Sequence, residues 1–146
     1  MYNMLRHAHS GFRWIALALL VVAILGALIG WMGKKEVSAR DIMTNKWAMI
    51  IVHIQVLIGF ILYFISPKVI FAGSSMKDSV LRFFLVEHLT LMLLAAVLIT
   101  IGHARQKRKE LGPLRHKTIF WFYTIALILI LAGIPWPWQG YGTGWF

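Results

Sequence analysis

The chain has 146 residues, of which 60% are apolar and only 14% charged, with 15 Lys and Arg against 5 Asp and Glu for a formal charge of +10. A mean hydropathy of +0.74 excludes a soluble domain of this size and points to an integral membrane protein. The absence of cysteine excludes disulfides, thiolate metal sites, thioether-linked haem and cysteine nucleophiles, so any bound group has to be held by His, Met, carboxylates or packing.

Four stretches reach the roughly 20 apolar residues that a helix rising about 1.5 Å per residue needs to cross a hydrocarbon core. The first, 14–33, follows Arg6, His7, His9 and Arg13 and runs into Lys34-Lys35 without a small-residue cleavage site, so it reads as a mature helix and not as a signal peptide. A loop containing "SARD", which offers a helix cap, leads to the second span, 47–67, with His53 and Gln55 inside it and a proline at its end. The turn-rich "AGSS" precedes the third span, 83–102, where Glu87 and His88 stand side by side. The basic run "RQKRK" and Gly112-Pro113 lead to the fourth, 118–136. The tail "IPWPWQGYGTGWF" is too rich in Pro and Gly to continue that helix and is expected to fold back along the membrane interface. The expected fold is a single all-α membrane domain over 1–146, an antiparallel four-transmembrane-helix bundle.

Charge placement sets the expected orientation. With four spans the termini share a face, which holds Arg6, Arg13, Lys68, Lys77 and Arg82; the two loops of the opposite face hold the other ten basic residues. The positive-inside rule puts those loops in the cytoplasm and both termini on the outer, periplasmic side of a bacterial inner membrane. Trp14, Trp136 and Trp138 then mark the outer interface, and Trp31, Trp47 and Trp121 the inner one. In this setting "RQKRK" meets anionic lipid head groups, and no nucleic-acid partner is expected.

The polar groups inside the spans need a reason. His53 lies about 9 Å into the second span and His88 about 13 Å into the third; measured from the outer surface they fall near 21 and 13 Å. Helix tilt and side-chain reach absorb much of that offset, so a shared ligand between them is geometrically open. Neutral imidazole is the usual nitrogen ligand of haem iron, and a four-helix bundle offers an apolar slot in which facing helices supply axial ligands. Small residues on the histidine faces, Ala95 and Gly102 beside His88 and Gly59 beside His53, suit a macrocycle. Arg13 and Arg82, at the outer level, are the expected propionate partners. Gln55 and Glu87 read as groups that orient a ligand histidine or handle protons; Glu87 points about 100° away from His88 and is poorly placed to pair with Arg82 on a regular helix. His7, His9, His103 and His116 fall near the interfaces, where contact with head groups or carbonyls explains them.

Four stretches, "HSGFRW" at 9–14, "HIQVLIGFILYFISP" at 53–67, "MKDSVLRFFLVEH" at 76–88 and the aromatic tail, resemble a group of small four-helix bacterial membrane proteins labelled cytochrome b-like. The resemblance spans nearly the whole chain. It implies haem b with His53 and His88 as metal ligands, and His9 with Arg13 as the next positions to be carried over. The function expected on this basis is a membrane electron carrier, an electron-transfer subunit linked to quinone and to a respiratory or other membrane partner protein. Two other readings stand beside it: a cofactor-free scaffold or accessory subunit, in which the same polar groups hydrogen-bond across helices, and a small proton-conducting transporter lined by Glu87 and the histidines. No phosphate loop, H-E-x-x-H pattern or Ser/His/Asp set supports hydrolase chemistry.

Overall fold

The apolar runs fold into helices that extend beyond what hydropathy marks out. The computed structural model describes residues 1–145 and contains no strand among them. Four helices are long and apolar enough to cross a membrane: α1 (Tyr2–Met32), α2 (Ala39–Ile65), α3 (Ser79–Gln106) and α4 (Gly112–Gly133). The first three start 12, 8 and 4 residues before the boundaries expected from hydropathy (14, 47 and 83) and the fourth starts 6 before 118 and stops 3 short of 136. Polar residues end a hydropathy window but not a helix, whose backbone hydrogen bonds are satisfied within the segment wherever it leaves the hydrocarbon. His9 therefore sits on α1, two turns inside its start.

Local chemistry defines the helix ends. Ser38 caps α2 in a reciprocal box: its Oγ accepts from Asp41 N at 3.2 Å and the Asp41 carboxylate accepts from Ser38 N at 2.9 Å. Asp78 caps α3, its Oδ1 accepting from the backbone N–H groups of Val80 and Leu81, both at 2.9 Å. At Phe83–Glu87 that helix widens into one π-helical turn, closed by the His88 N–H on the Phe83 carbonyl. The Gly112-Pro113 pair opens α4, and Ile134, extended before Pro135, ends it.

Close packing holds the bundle. In a bilayer the lipid is as apolar as the helix faces, so association depends on tight contact between small residues. Ala16, Ala23, Ala27, Ala48, Ala95 and Ala126 are all buried, around the fully enclosed Leu20, Ile99, Ile119 and Tyr123. The Tyr123 hydroxyl donates to the Asn45 carbonyl at 2.9 Å and ties α4 to α2. Leu25, Leu57, Val97 and Ile128 point outward, an apolar exterior suited to lipid. Helix α1 packs on α2 and α4, α3 packs closely on α4, and the α2–α3 seam is the loosest.

Polar contacts collect the helix ends into two groups. Arg13 Nη2 and Trp14 Nε1 donate to the Trp145 carbonyl at 2.7 and 3.2 Å, Lys68 Nζ donates to the carbonyls of Tyr141 and Gly142 at 2.6 and 2.9 Å, and Tyr63 donates to the Leu85 carbonyl at 3.0 Å. The start of α1, the end of α2, the start of α3 and the segment after α4 thus lie together, and the tail folds back over them. At the other end Arg115 Nε donates to Gln106 Oε1 at 3.0 Å and the Lys117 ammonium lies 5.4 Å above the Trp31 ring.

Candidate functional site

At the end covered by the tail the four helices part around a cavity of about 410 Å³. Its inner walls are apolar, with Leu20, Val52, Met92 and Ile130 contributed by the four helices in turn. Its upper wall is polar and cationic, formed by His9, Arg6 and Arg13 of α1, Gln55 of α2, His88 of α3 and Lys68 of the loop after α2. Apolar walls with a few convergent polar groups are the usual construction of a cofactor or ligand site.

Two imidazoles dominate the chemistry. The rings of His9 and His88 stand with centres 6.3 Å apart and planes at 76°. His88 donates from Nδ1 to the Gly133 carbonyl at 2.7 Å, a bond available because Gly133 ends α4 and leaves its carbonyl free; this sets the tautomer and leaves the lone pair on Nε2. The π-helical turn immediately before His88 adds a residue to the helical cycle there and so fixes the face on which the ring emerges. His9 is held from below by Gln55, whose Nε2 donates to the His9 carbonyl at 2.6 Å, and its ring is seated over Gly59. Three buried polar atoms around the cavity, His9 Nδ1, Gln55 Oε1 and Arg13 Nε, have no hydrogen-bond partner, an arrangement that is costly unless a ligand completes it.

The imidazole that lies beside His88 is that of His9, and not that of His53. His53 is exposed on α2, with Nδ1 donating to the Met49 carbonyl at 2.7 Å and Nε2 3.0 Å from Thr100 Oγ1. Thr100 lies about 18 Å along α3 from His88, so a single iron cannot join the two rings. Nδ1 of His53 is committed to the Met49 carbonyl, and Nε2 lies against the Thr100 hydroxyl, which donates to the Ala96 carbonyl at 2.7 Å. Of the other expected site residues, Arg13, His9 and Gln55 come to the cavity together, while Arg82 and Glu87 pair with each other, Nε to Oε1 at 2.7 Å, both half-exposed. The poor placement expected of that pair holds only for a regular helix; the π-helical turn, with its i to i+5 spacing, brings the two onto one face. Arg82 is therefore engaged elsewhere. Ala95 and Gly102 are buried in the packing of α3, Gly102 against Phe122, and neither lines the cavity. His103 and His116 are buried at the other end of the bundle, where His116 packs on Gly30 of α1.

Lys68, Arg6 and the tail carbonyls are site features that sequence reasoning misses. Burial, and then the neighbouring Arg6, hold the Lys68 ammonium below the ordinary lysine range. The only sequence signal for Lys68 is its place just beyond Pro67, where the polar end of α2 meets the tail.

The separation of the two rings would suit a haem held between two imidazoles. A metal–nitrogen bond of about 2 Å and the roughly 1 Å from nitrogen to ring centre, taken twice, require ring centres about 6 Å apart, close to the 6.3 Å observed. Among the described residues no group of three His, Asp or Glu side chains gathers to hold a bare metal ion. Comparison with protein-family models, curated proteins and solved structures gives no match, so the class of protein rests on the fold and the site alone.

Gly59 offers a sharp test of the His9 seat. A Cβ at this position would stand 2.9 Å from His9 Cε1, so Gly59→Ala forces the ring to turn or tilt while leaving the helix contacts intact. We expect a correctly inserted, folded protein with the His9 ring displaced; were a haem held through His9, its spectrum would shift and its affinity fall about tenfold, as for other losses of ligand positioning, whereas an unchanged spectrum would show that His9 is not held there.

Proposed function

We propose that the chain is a b-type haem protein of the bacterial cytoplasmic membrane that carries electrons, with His9 and His88 as the residues that would hold the haem iron. The observation that carries this reading is the separation of the two imidazoles, matched to a bis-imidazole iron, at a cation-rimmed apolar cavity. Haem held between two imidazoles supplies a reversible one-electron couple. The chain's own residues do the rest. The Gly133 carbonyl orients His88 and raises its basicity, Gln55 and Gly59 locate His9, and the leucine, valine and isoleucine walls exclude water and so favour the less charged, reduced state. Arg13 remains a propionate partner on this reading; the Arg82–Glu87 pair, half-exposed at the same end, is a place for proton exchange with quinone.

We further propose that the four helices form an antiparallel bundle with both termini outside, as the ten-to-five distribution of basic residues favours. The cavity then opens near the periplasmic surface. Electron exchange would take place there, with quinone reaching the loose α2–α3 seam from the bilayer and a membrane partner protein docking at the outer face.

The test is a reduced-minus-oxidised absorption spectrum of protein expressed with added haem precursor and purified in detergent, with a pyridine haemochrome assay for stoichiometry. A low-spin b-type difference at one haem per chain is expected. Purified protein with no chromophore would remove the electron-carrier reading and leave the cross-helix polar network as a structural device.

A further inference from the structure

The tail makes three hydrogen bonds to cations that line the cavity. Arg13 donates one N–H to the Trp145 carbonyl, with Nε left unpartnered; Lys68 donates two of its three to the carbonyls of Tyr141 and Gly142. The acceptors are neutral carbonyls, so these bonds pair neither cation with an anion. The Gly142 and Trp145 carbonyls, three residues apart, can be separated by no more than about 11 Å of chain, which holds the two cationic side chains within a span that one ligand can bridge. The tail itself is pinned at several points. Tyr141 stacks on Phe83 with ring centres 4.2 Å apart and planes at 19°, Thr143 Oγ1 donates to the Pro135 carbonyl at 2.7 Å, and Trp145 stacks against Trp14 at 6.1 Å. Positive φ at Gly140 and Gly142 lets the chain turn back on itself between these points.

We propose that Arg13 and Lys68, braced by the carbonyl groups of this C-terminal strap, form a two-point clamp for the paired carboxylates of the ligand that fills the cavity. The ligand class is a planar apolar dicarboxylate. The inference rests on the haem reading for the shape of the ligand but not for axial coordination. The strap residues are positioning residues: they touch the cations, and their part is to remove in advance the side-chain freedom that long Arg and Lys side chains lose on binding. A carboxylate reaching these cations forms charge-assisted hydrogen bonds that the neutral carbonyls cannot match, so it adds to the brace by using the donors left over.

The probe is metal-free protoporphyrin IX, compared with its dimethyl ester, which has the same ring and no charge. Binding to the full-length protein in neutral detergent is read by quenching of the tryptophans near the cavity mouth and referred to empty micelles. The free acid is expected to bind at least about tenfold more tightly than the ester, with Arg13→Gln and Lys68→Gln each removing about threefold to tenfold of that preference and the double variant removing all of it. Tyr141→Ala, which leaves both cations in place, is expected to lower the preference as well, with ester binding unchanged as the sign of an intact cavity. Equal binding of acid and ester, a preference that survives the double variant, or binding no different from that of empty micelles would each overturn the clamp. Because the probe carries no iron, failure of the clamp leaves the His9–His88 pairing standing; a persistent preference without any low-spin haem spectrum would overturn that pairing alone.

Discussion

Replacing His9 or His88 with alanine is expected to abolish the low-spin haem spectrum, while His53→Ala leaves it in place. Each of the first two variants removes one imidazole from the pair whose ring centres stand 6.3 Å apart, so a haem held there would keep at most one histidine and become high-spin or be lost, with retention falling more than about tenfold. The His53 ring bonds to Met49 and lies beside Thr100, about 18 Å along α3 from His88. Its removal costs a local hydrogen bond at the lipid-facing surface. The measurement is the haem-to-protein ratio and the reduced-minus-oxidised spectrum of the three variants prepared in parallel. A spectrum lost in His53→Ala and kept in His9→Ala would restore the pairing expected from sequence depth and refute the one built on α1.

The second large effect is expected at Tyr123. This residue is fully enclosed and the largest such side chain in the bundle. Tyr123→Ala opens a cavity at a point where close helix contact stands in for the hydrophobic drive that a bilayer does not supply, and truncation of a large buried aromatic ring costs about 3 to 5 kcal/mol. Tyr123→Phe separates packing from hydrogen bonding: it keeps the ring and removes only the donor to the Asn45 carbonyl, at about 1 kcal/mol. Unfolding midpoints in a series of mixed micelles of increasing denaturing-detergent content would order the three proteins as wild type, Phe and Ala. A Phe variant as unstable as the Ala variant would assign the stability to the hydrogen bond and not to the ring.

The helical class, the four spans and the cap at Ser38 follow from short-range properties. A run of apolar residues leaves the backbone no choice but to bond within itself in lipid, and a Ser or Asp before a helix acts over three residues. The cavity's histidine at position 88, its glutamine at 55 and its arginine at 13 are legible for the same reason, because a polar side chain inside or beside an apolar span stands out against its neighbours. Hydropathy does not show how far α1 continues before Trp14. A polar first turn looks like the end of a helix to a window average, and on that basis His9 reads as interfacial. Nor does the spacing of Arg82 and Glu87 disclose their contact, since it needs a π-helical turn that a regular 3.6-residue cycle does not contain.

That the chain forms four helices long and apolar enough to cross a membrane, with histidines in or beside them, is written one segment at a time, because hydropathy and charge act on each segment against the same solvent whatever its neighbours are. Which histidines meet, that Lys68 joins Arg13 at the cavity, and that the tail braces both emerge only when the helices are packed. Those are properties of helix rotation and axial offset, and they are settled by small-residue contacts such as Gly59 beneath His9 and by hydrogen bonds between residues as far apart as Arg13 and Trp145, whose partners no local window contains.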